Sequence, residues 1–322
     1  MNFPACLRWI KNLLGIISLA WLALALQGCS TIRLAYNQAP LAAYWYLDDY
    51  LDFNDQQGPA MKAALAEVHQ WHRRTQLPAY LESLQKIQRS IPEPVTASQA
   101  CELYAEVQDR LQASVEGMIA LAQAPGAPAH MAVLATLDRS QLAHLEKRFA
   151  KSNAKYRNDY LSGSARHLSD KRLAQFVSRA EMLYGKLEPR QEALLQVRLE
   201  QSGFEPERAY AERLRRQQDV LQALQSLAPL PSGGAVFKAA AAPDMPKGAA
   251  TSPGSGMALQ WLVTRLSQSP DARYRDYAQT LREKNCQTFA DLHNSTSPAQ
   301  RQKALSKLQG YEQDLQAVLR HP

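Results

Sequence analysis

Apolar residues in this chain recur every three or four positions over long stretches, separated by short runs rich in Pro, Gly, Asp and Ser. That period puts them on one face of an α-helix, and strand alternation bounded by turn signals is absent. Pro40 suits the opening of a helix, and Ala43, Tyr46, Leu47, Tyr50 and Leu51 form the first stripe. Asp55 to Pro59 interrupts it. Met61, Ala64, Leu65, Val68 and Trp71 then share a face of a long helix running to about Arg89. Pro78 lies inside that helix and kinks or breaks it, because its ring removes a backbone donor. Leu77, Leu81, Leu84 and Ile87 resume the stripe.

Thr96 with Gln99 has the spacing of a capping box. It introduces Leu103, Val107, Leu111, Val115, Met118 and Leu121. Pro125 to Pro128 reads as a turn, followed by a short helix over about 129–136. Asp138 with Gln141 caps another helix, carrying Leu142, Leu145, Phe149 and Tyr156. Ser169 reads as the start of the next, with Leu173, Phe176, Val177, Ala180 and Leu183. Pro189, Pro206 and Pro298 each stand where a helix starts, where a missing N–H costs nothing.

The pattern predicts an all-α chain: an antiparallel multi-helix bundle-like body over 29–228 and a C-terminal helical hairpin over 257–322 packing on it. Eight or nine helices are expected. Residues 229–256 carry five of the 18 prolines and five of the 14 glycines and no stripe. They read as a flexible linker or loop.

One apolar run has no helical period. Leu13 to Leu26 is broken only by Gly15 and Ser18, follows Arg8 and Lys11, and ends at Gly28-Cys29. Basic, apolar and small-residue regions in that order make a secretory signal over residues 1–28. The run is short of the roughly 20 apolar residues of a membrane-spanning helix. Leu26-Gln27-Gly28-Cys29 resembles the lipobox of bacterial lipoproteins, which implies cleavage before Cys29 and a covalent lipid on its thiol. An uncleaved anchor helix is the other reading. Ser30, where inner-membrane lipoproteins often carry Asp, favours the periplasmic face of the outer membrane.

From Cys29 onward the net charge is +5, against +7 for the whole chain, and it is dispersed. That argues against a nucleic-acid partner. Cys101 and Cys286 are the remaining cysteine pair once Cys6 and Cys29 are set aside. In an oxidising compartment they are expected to form a disulfide.

Three stretches resemble a known family: Arg33-Leu34-Ala35-Tyr36-Asn37, Tyr44 through Phe53, and Trp71-His72-Arg73-Arg74 with Leu77-Pro78. Asn285-Cys286 belongs with them. The family is a set of uncharacterised proteobacterial lipoproteins, known only as a domain of unknown function. The resemblance implies a helical periplasmic lipoprotein and no particular reaction. Leu187 to Gln191 and Thr296 to Gln300 also have a shape related to the Leu-Thr-x-x-Gln motifs of periplasmic stress chaperones. Both depart from that motif, and both are sound helix starts in their own right.

Candidate chemistry is sparse. Asp48, Asp49, Asp52 and Asp55 cluster as a hard cation would require, but without a calcium-loop pattern. A solvated face, or one that pairs with arginines, is preferred. His69 and His72 share a helix face, yet no third zinc ligand follows. Arg73 and Arg74 have the fork geometry for a phosphate or carboxylate, and are expected to pair with the Asp48–Asp55 face. No nucleophile elbow, phosphate loop or Cys-x-x-Cys pair occurs. The expectation is therefore a non-enzymatic, lipid-anchored envelope protein with no metal and no cofactor beyond the lipid at Cys29. Its helical surface would meet a protein partner or an envelope polymer. Tyr44, Trp45, Tyr50, Asp48, Asp52, Trp71, Arg73 and Arg74 are the candidate contact residues. A holdase-like chaperone and an envelope hydrolase with an unfamiliar site are the alternatives.

Overall fold

The structure, a computed structural model, describes residues 31–123, 130–227 and 254–320. The expected signal, Cys29 and all but the last residues of the 229–256 segment lie outside the described residues. Among those described there are thirteen α-helices and no strand. They are α1 (Thr31–Asn37), α2 (Ala39–Leu51), α3 (Gln57–Thr75), α4 (Leu77–Ser90), α5 (Ala97–Gln123), α6 (His130–Ala135) and α7 (Arg139–Tyr160). After these come α8 (Ala165–Tyr184), α9 (Pro189–Glu200), α10 (Pro206–Leu227), α11 (Gly254–Ser267), α12 (Ala272–Ser295) and α13 (Pro298–Arg320). The count exceeds eight or nine in part because α1 precedes the first stripe and Pro78 divides the long helix expected to reach Arg89. Pro78 separates α3 from α4, as expected. The helix expected from Ser169 starts at Ala165, because the Ser164 side chain caps it through the His167 N–H.

Instead of one continuous core, several apolar clusters lie along the body. Leu51, Leu137, Leu142, Leu145 and Leu224 bring together α2, α7 and α10. Tyr44, Met61 and Val133 join α2, α3 and α6. Ile91, Tyr184, Ala304 and Leu308 join α8 and α13 beside the end of α4. Leu187, Leu195 and Leu292 join α9 and α12.

The all-α class is as read from the sequence, but the terminal pair differs from the expected hairpin. The main partners of α12 are α5 and α9, and those of α13 are α4, α1 and α8. Each helix has its apolar face claimed by the body, so the two turn away from one another at Ser295–Pro298. Cys101 of α5 and Cys286 of α12 form a disulfide, with Cα atoms 5.3 Å apart.

Two corners of the fold are built in the same way. Gln57 opens α3 and Gln141 lies in the first turn of α7, and their side-chain amides exchange hydrogen bonds in both directions, at 3.2 and 2.7 Å. Each amide N–H also donates to a carbonyl near the end of the helix preceding its partner: Gln141 to Leu51 O, Gln57 to Thr136 O. Gln191 of α9 and Gln300 of α13 repeat the arrangement at 2.8 and 2.9 Å. There Gln191 donates to Ser295 O and Gln300 to Lys186 O. Each glutamine oxygen also accepts the N–H of the residue three positions before it, Asn54, Asp138, Glu188 or Ser297. Orphan groups at helix starts and helix ends are thereby satisfied by one side chain.

Candidate functional site

The residues at 33–37 and 71–74 meet. Tyr36 of α1 lies on α3, its hydroxyl 3.0 Å from His72 Nδ1 and its carbonyl accepting from His69 Nε2 at 3.0 Å. Arg73 donates to Asn37 Oδ1 at 2.9 Å, and its guanidinium lies over the Tyr36 ring. The His69–His72 spacing thus serves a tyrosine. Burial, followed by the Arg73 charge, lowers the His69 pKa despite the Tyr36 carbonyl. Burial, followed by His69, lowers that of His72. Burial also raises the Tyr36 pKa, against the pull of Arg73. Burial therefore favours the neutral form of all three groups. Trp71 faces α5, where a Cβ at Gly117 would fall 2.4 Å from Trp71 Cζ2.

The acidic cluster goes elsewhere, which corrects the expected pairing. Asp49 forms an ion pair with Arg148 of α7, and His144 donates to its carbonyl at 3.0 Å. Asp48 Oδ1 accepts the Phe53 N–H, closing the end of α2. Asp52, in a left-handed conformation at φ 50°, gives its carbonyl to Gln141. Arg73 is occupied by Asn37 and Arg74 is exposed, so neither locks onto the acidic face. Among the described residues no group of three or more His, Cys, Asp or Glu is placed to hold a metal ion.

The aromatic candidates divide. Trp45 is 61% exposed, whereas Tyr44 is only 7% exposed and packs with Met61 and Val133. Tyr50 is half-buried against Phe149. Because α2 lies against both α3 and α7, its inward face runs through Tyr44, Leu47 and Leu51. Tyr46, expected on that face, is exposed instead.

Further features were not foreseen. An apolar cavity of about 300 Å³ lies between α2, α3, α5 and α11, lined by Leu47, Met61, Ala64, Val115, Ile119 and Leu259 among others. On α5, Tyr104, Val107 and Leu111 are exposed at i, i+3 and i+7. Val107 and Leu111 belong to the stripe read from the sequence, whose period could not separate an outward face from an inward one, and Tyr104 was not part of it. A charged seam joins α10 to α11, in which Arg215 bridges Glu212 and Asp219, and Arg265 reaches Asp219 at 3.0 Å. Burial opposes ionisation of Glu212, but Arg215, Arg216 and Ser269 outweigh it and hold the carboxyl below its ordinary range.

A family model described as a family of unknown function, DUF6279, matches residues 49–231. The chain belongs to that family. The DUF6279 stretch takes in the His69–Arg73 side of the Tyr36 contact and the whole Gln57–Gln141 corner, while Tyr36 precedes it. No curated protein and no solved structure matches the chain.

Proposed function

We propose that this DUF6279 protein is a lipid-anchored envelope protein that acts without catalysis, by presenting a helical surface to a protein partner in the periplasm. The observation that carries the reading is a division of labour among side chains. The polar candidates bond to one another across helices, as Tyr36 with His69 and His72 and Asp49 with Arg148 do. Apolar side chains, by contrast, are left outward in a line at Tyr104, Val107 and Leu111. Contiguous exposed apolar surface marks a protein or membrane contact, and this line lies on α5, away from the amino-terminal anchor in sequence. The helix bearing them is tied to α12 by the Cys101–Cys286 bond, which supports a stiff, pre-organised face.

Anchoring rests on Leu26 to Cys29, with lipid on the Cys29 thiol and Ser30 favouring the outer membrane. The test is fractionation, with mass measurement of the amino-terminal peptide. The expected result is a membrane-bound protein beginning at acylated Cys29, and a Cys29→Ser variant that keeps residues 1–28. An unacylated Cys29 in a membrane-bound protein refutes the lipid anchor.

The apolar cavity between α2, α3 and α5 favours a second reading, a holdase that shelters apolar segments of unfolded proteins. Suppression of aggregation of several unrelated unfolded proteins, abolished by Ala64→Trp, would support it over the dedicated-partner reading.

A further inference from the structure

The outer side of α1 and α2 has a different character from the rest of the surface. Leu34, Leu41 and Trp45 stand at i, i+7 and i+11 along one line and are 59%, 45% and 61% exposed. Every exposed position from Leu34 to Tyr46 is uncharged. In a chain with 21% charged residues, three helical turns of uncharged surface call for an explanation. The two helices run on almost without a break, since Gln38 donates to Leu34 O and accepts from the Ala42 N–H. The opposite side is fully engaged: Tyr36 bonds to α3, and Arg33 lies 3.9 Å from Asp314 of α13. The outward side is therefore held in a fixed orientation.

What covers it follows from the chain that precedes it. Thirty residues lie before Thr31 and include the apolar run Leu13–Leu26 and Cys29. With Cys29 acylated, as proposed above, the chain leaves a bilayer within a few residues of Thr31. Leu34 is five residues beyond Cys29, and Trp45 is about 16 Å farther along at 1.5 Å per residue. Tryptophan and tyrosine favour the water–bilayer boundary, where an apolar ring meets hydrated headgroups. The acidic pair Asp48–Asp49 lies at the far end, where the helix turns in toward α7.

We propose that the Leu34–Leu41–Trp45 face lies in the bilayer interface, so that α1 and α2 seat the protein on the membrane in one orientation. This rests on the anchoring part of the proposed function and adds a second point of contact to it. Two weak signals together give stable attachment where a single one is marginal.

The test uses the membrane-extracted full protein, reconstituted in phosphatidylethanolamine–phosphatidylglycerol vesicles with or without bromine on the acyl chains. Bromine quenches nearby tryptophan. From Cys29 on, the other two tryptophans are Trp71, packed on Gly117, and Trp261, buried in the protein. Wild-type emission is expected to be quenched, and Trp45→Phe to lose most of that quenching. A Leu34→Ser, Leu41→Ser double variant is expected to lose most of it too while melting as wild type. Equal quenching in wild type and Trp45→Phe, or none in protein that sediments with the vesicles, overturns the bilayer face and leaves the anchor standing. Protein that stays in the supernatant overturns both.

Discussion

The side chains of Gln191 and Gln300, 109 positions apart, exchange two hydrogen bonds at 2.8 and 2.9 Å in a buried corner where four helix ends meet. Each amide also caps a helix start and receives a helix end, so removal of either glutamine leaves several backbone groups unmet. A buried unsatisfied group costs about 1–3 kcal/mol. Gln191→Ala is expected to lower unfolding stability by about 2–3 kcal/mol. With Gln300→Ala as the second arm, a double-mutant cycle in denaturant should give a coupling of roughly 1–2 kcal/mol. Additive losses would show that the two act as separate caps.

Much of this corner was visible in the sequence, though its pairing was not. Glu188–Gln191 and Ser297–Gln300 have cap spacing, and a cap is a local interaction that the chain itself displays. That the two caps bond to each other depends on how α9 and α13 are brought together, which no local pattern encodes. The same limit applies at Arg73. Its fork geometry suggested an acidic partner in the Asp48–Asp55 face, but α1 packs on α3 and supplies Asn37, while Arg148 of α7 takes Asp49. Most helix positions were legible because period and proline position are local, whereas α1 and the Ala165 start were not. The inward face of α2 rotated toward Tyr44 because two neighbouring helices, rather than one, define it.

Acidification is expected to weaken the fold. His293 donates from Nε2 to Glu93 O, accepts the Tyr184 hydroxyl at Nδ1, and has its pKa lowered by burial below the ordinary 6.5. His69 and His72 are lowered as well. As pH falls below 6.5 the unfolded chain binds more protons than the folded one, so stability is retained above that value and lost below it. The melting temperature should drop between about pH 7 and pH 5, and the drop should be smaller in His293→Gln. A wild-type melting temperature constant over that range contradicts the assignment.

Gly117 is required for close approach. A Cβ there meets the Trp71 ring at 2.4 Å. Alanine gains about 1 kcal/mol of helix propensity at an exposed helical glycine, but overpacking costs about 1–3 kcal/mol. Gly117→Ala is therefore expected to be less stable than wild type by about 1 kcal/mol, read from the denaturation midpoint. A gain in stability would mean that Trp71 yields freely.

The Cys101–Cys286 bond spans 185 positions. Constraining so long a loop in the unfolded chain is worth about 5 kcal/mol in the chain-entropy view. Reduction should shift the denaturation midpoint down strongly and loosen α12 from α5, seen as faster amide exchange in both helices. A midpoint unchanged by reductant would remove the bond from the account of stability.

Photo-crosslinking in living cells tests the central claim most directly. A photoreactive residue would replace Leu111 on the exposed line of α5, with Lys147 on α7 as an exposed polar control. The account predicts one or two adducts of defined mass from position 111 that are missing from position 147, each containing an envelope protein. No adduct at 111, or the same spread of adducts at both positions, would contradict a dedicated protein-binding surface there.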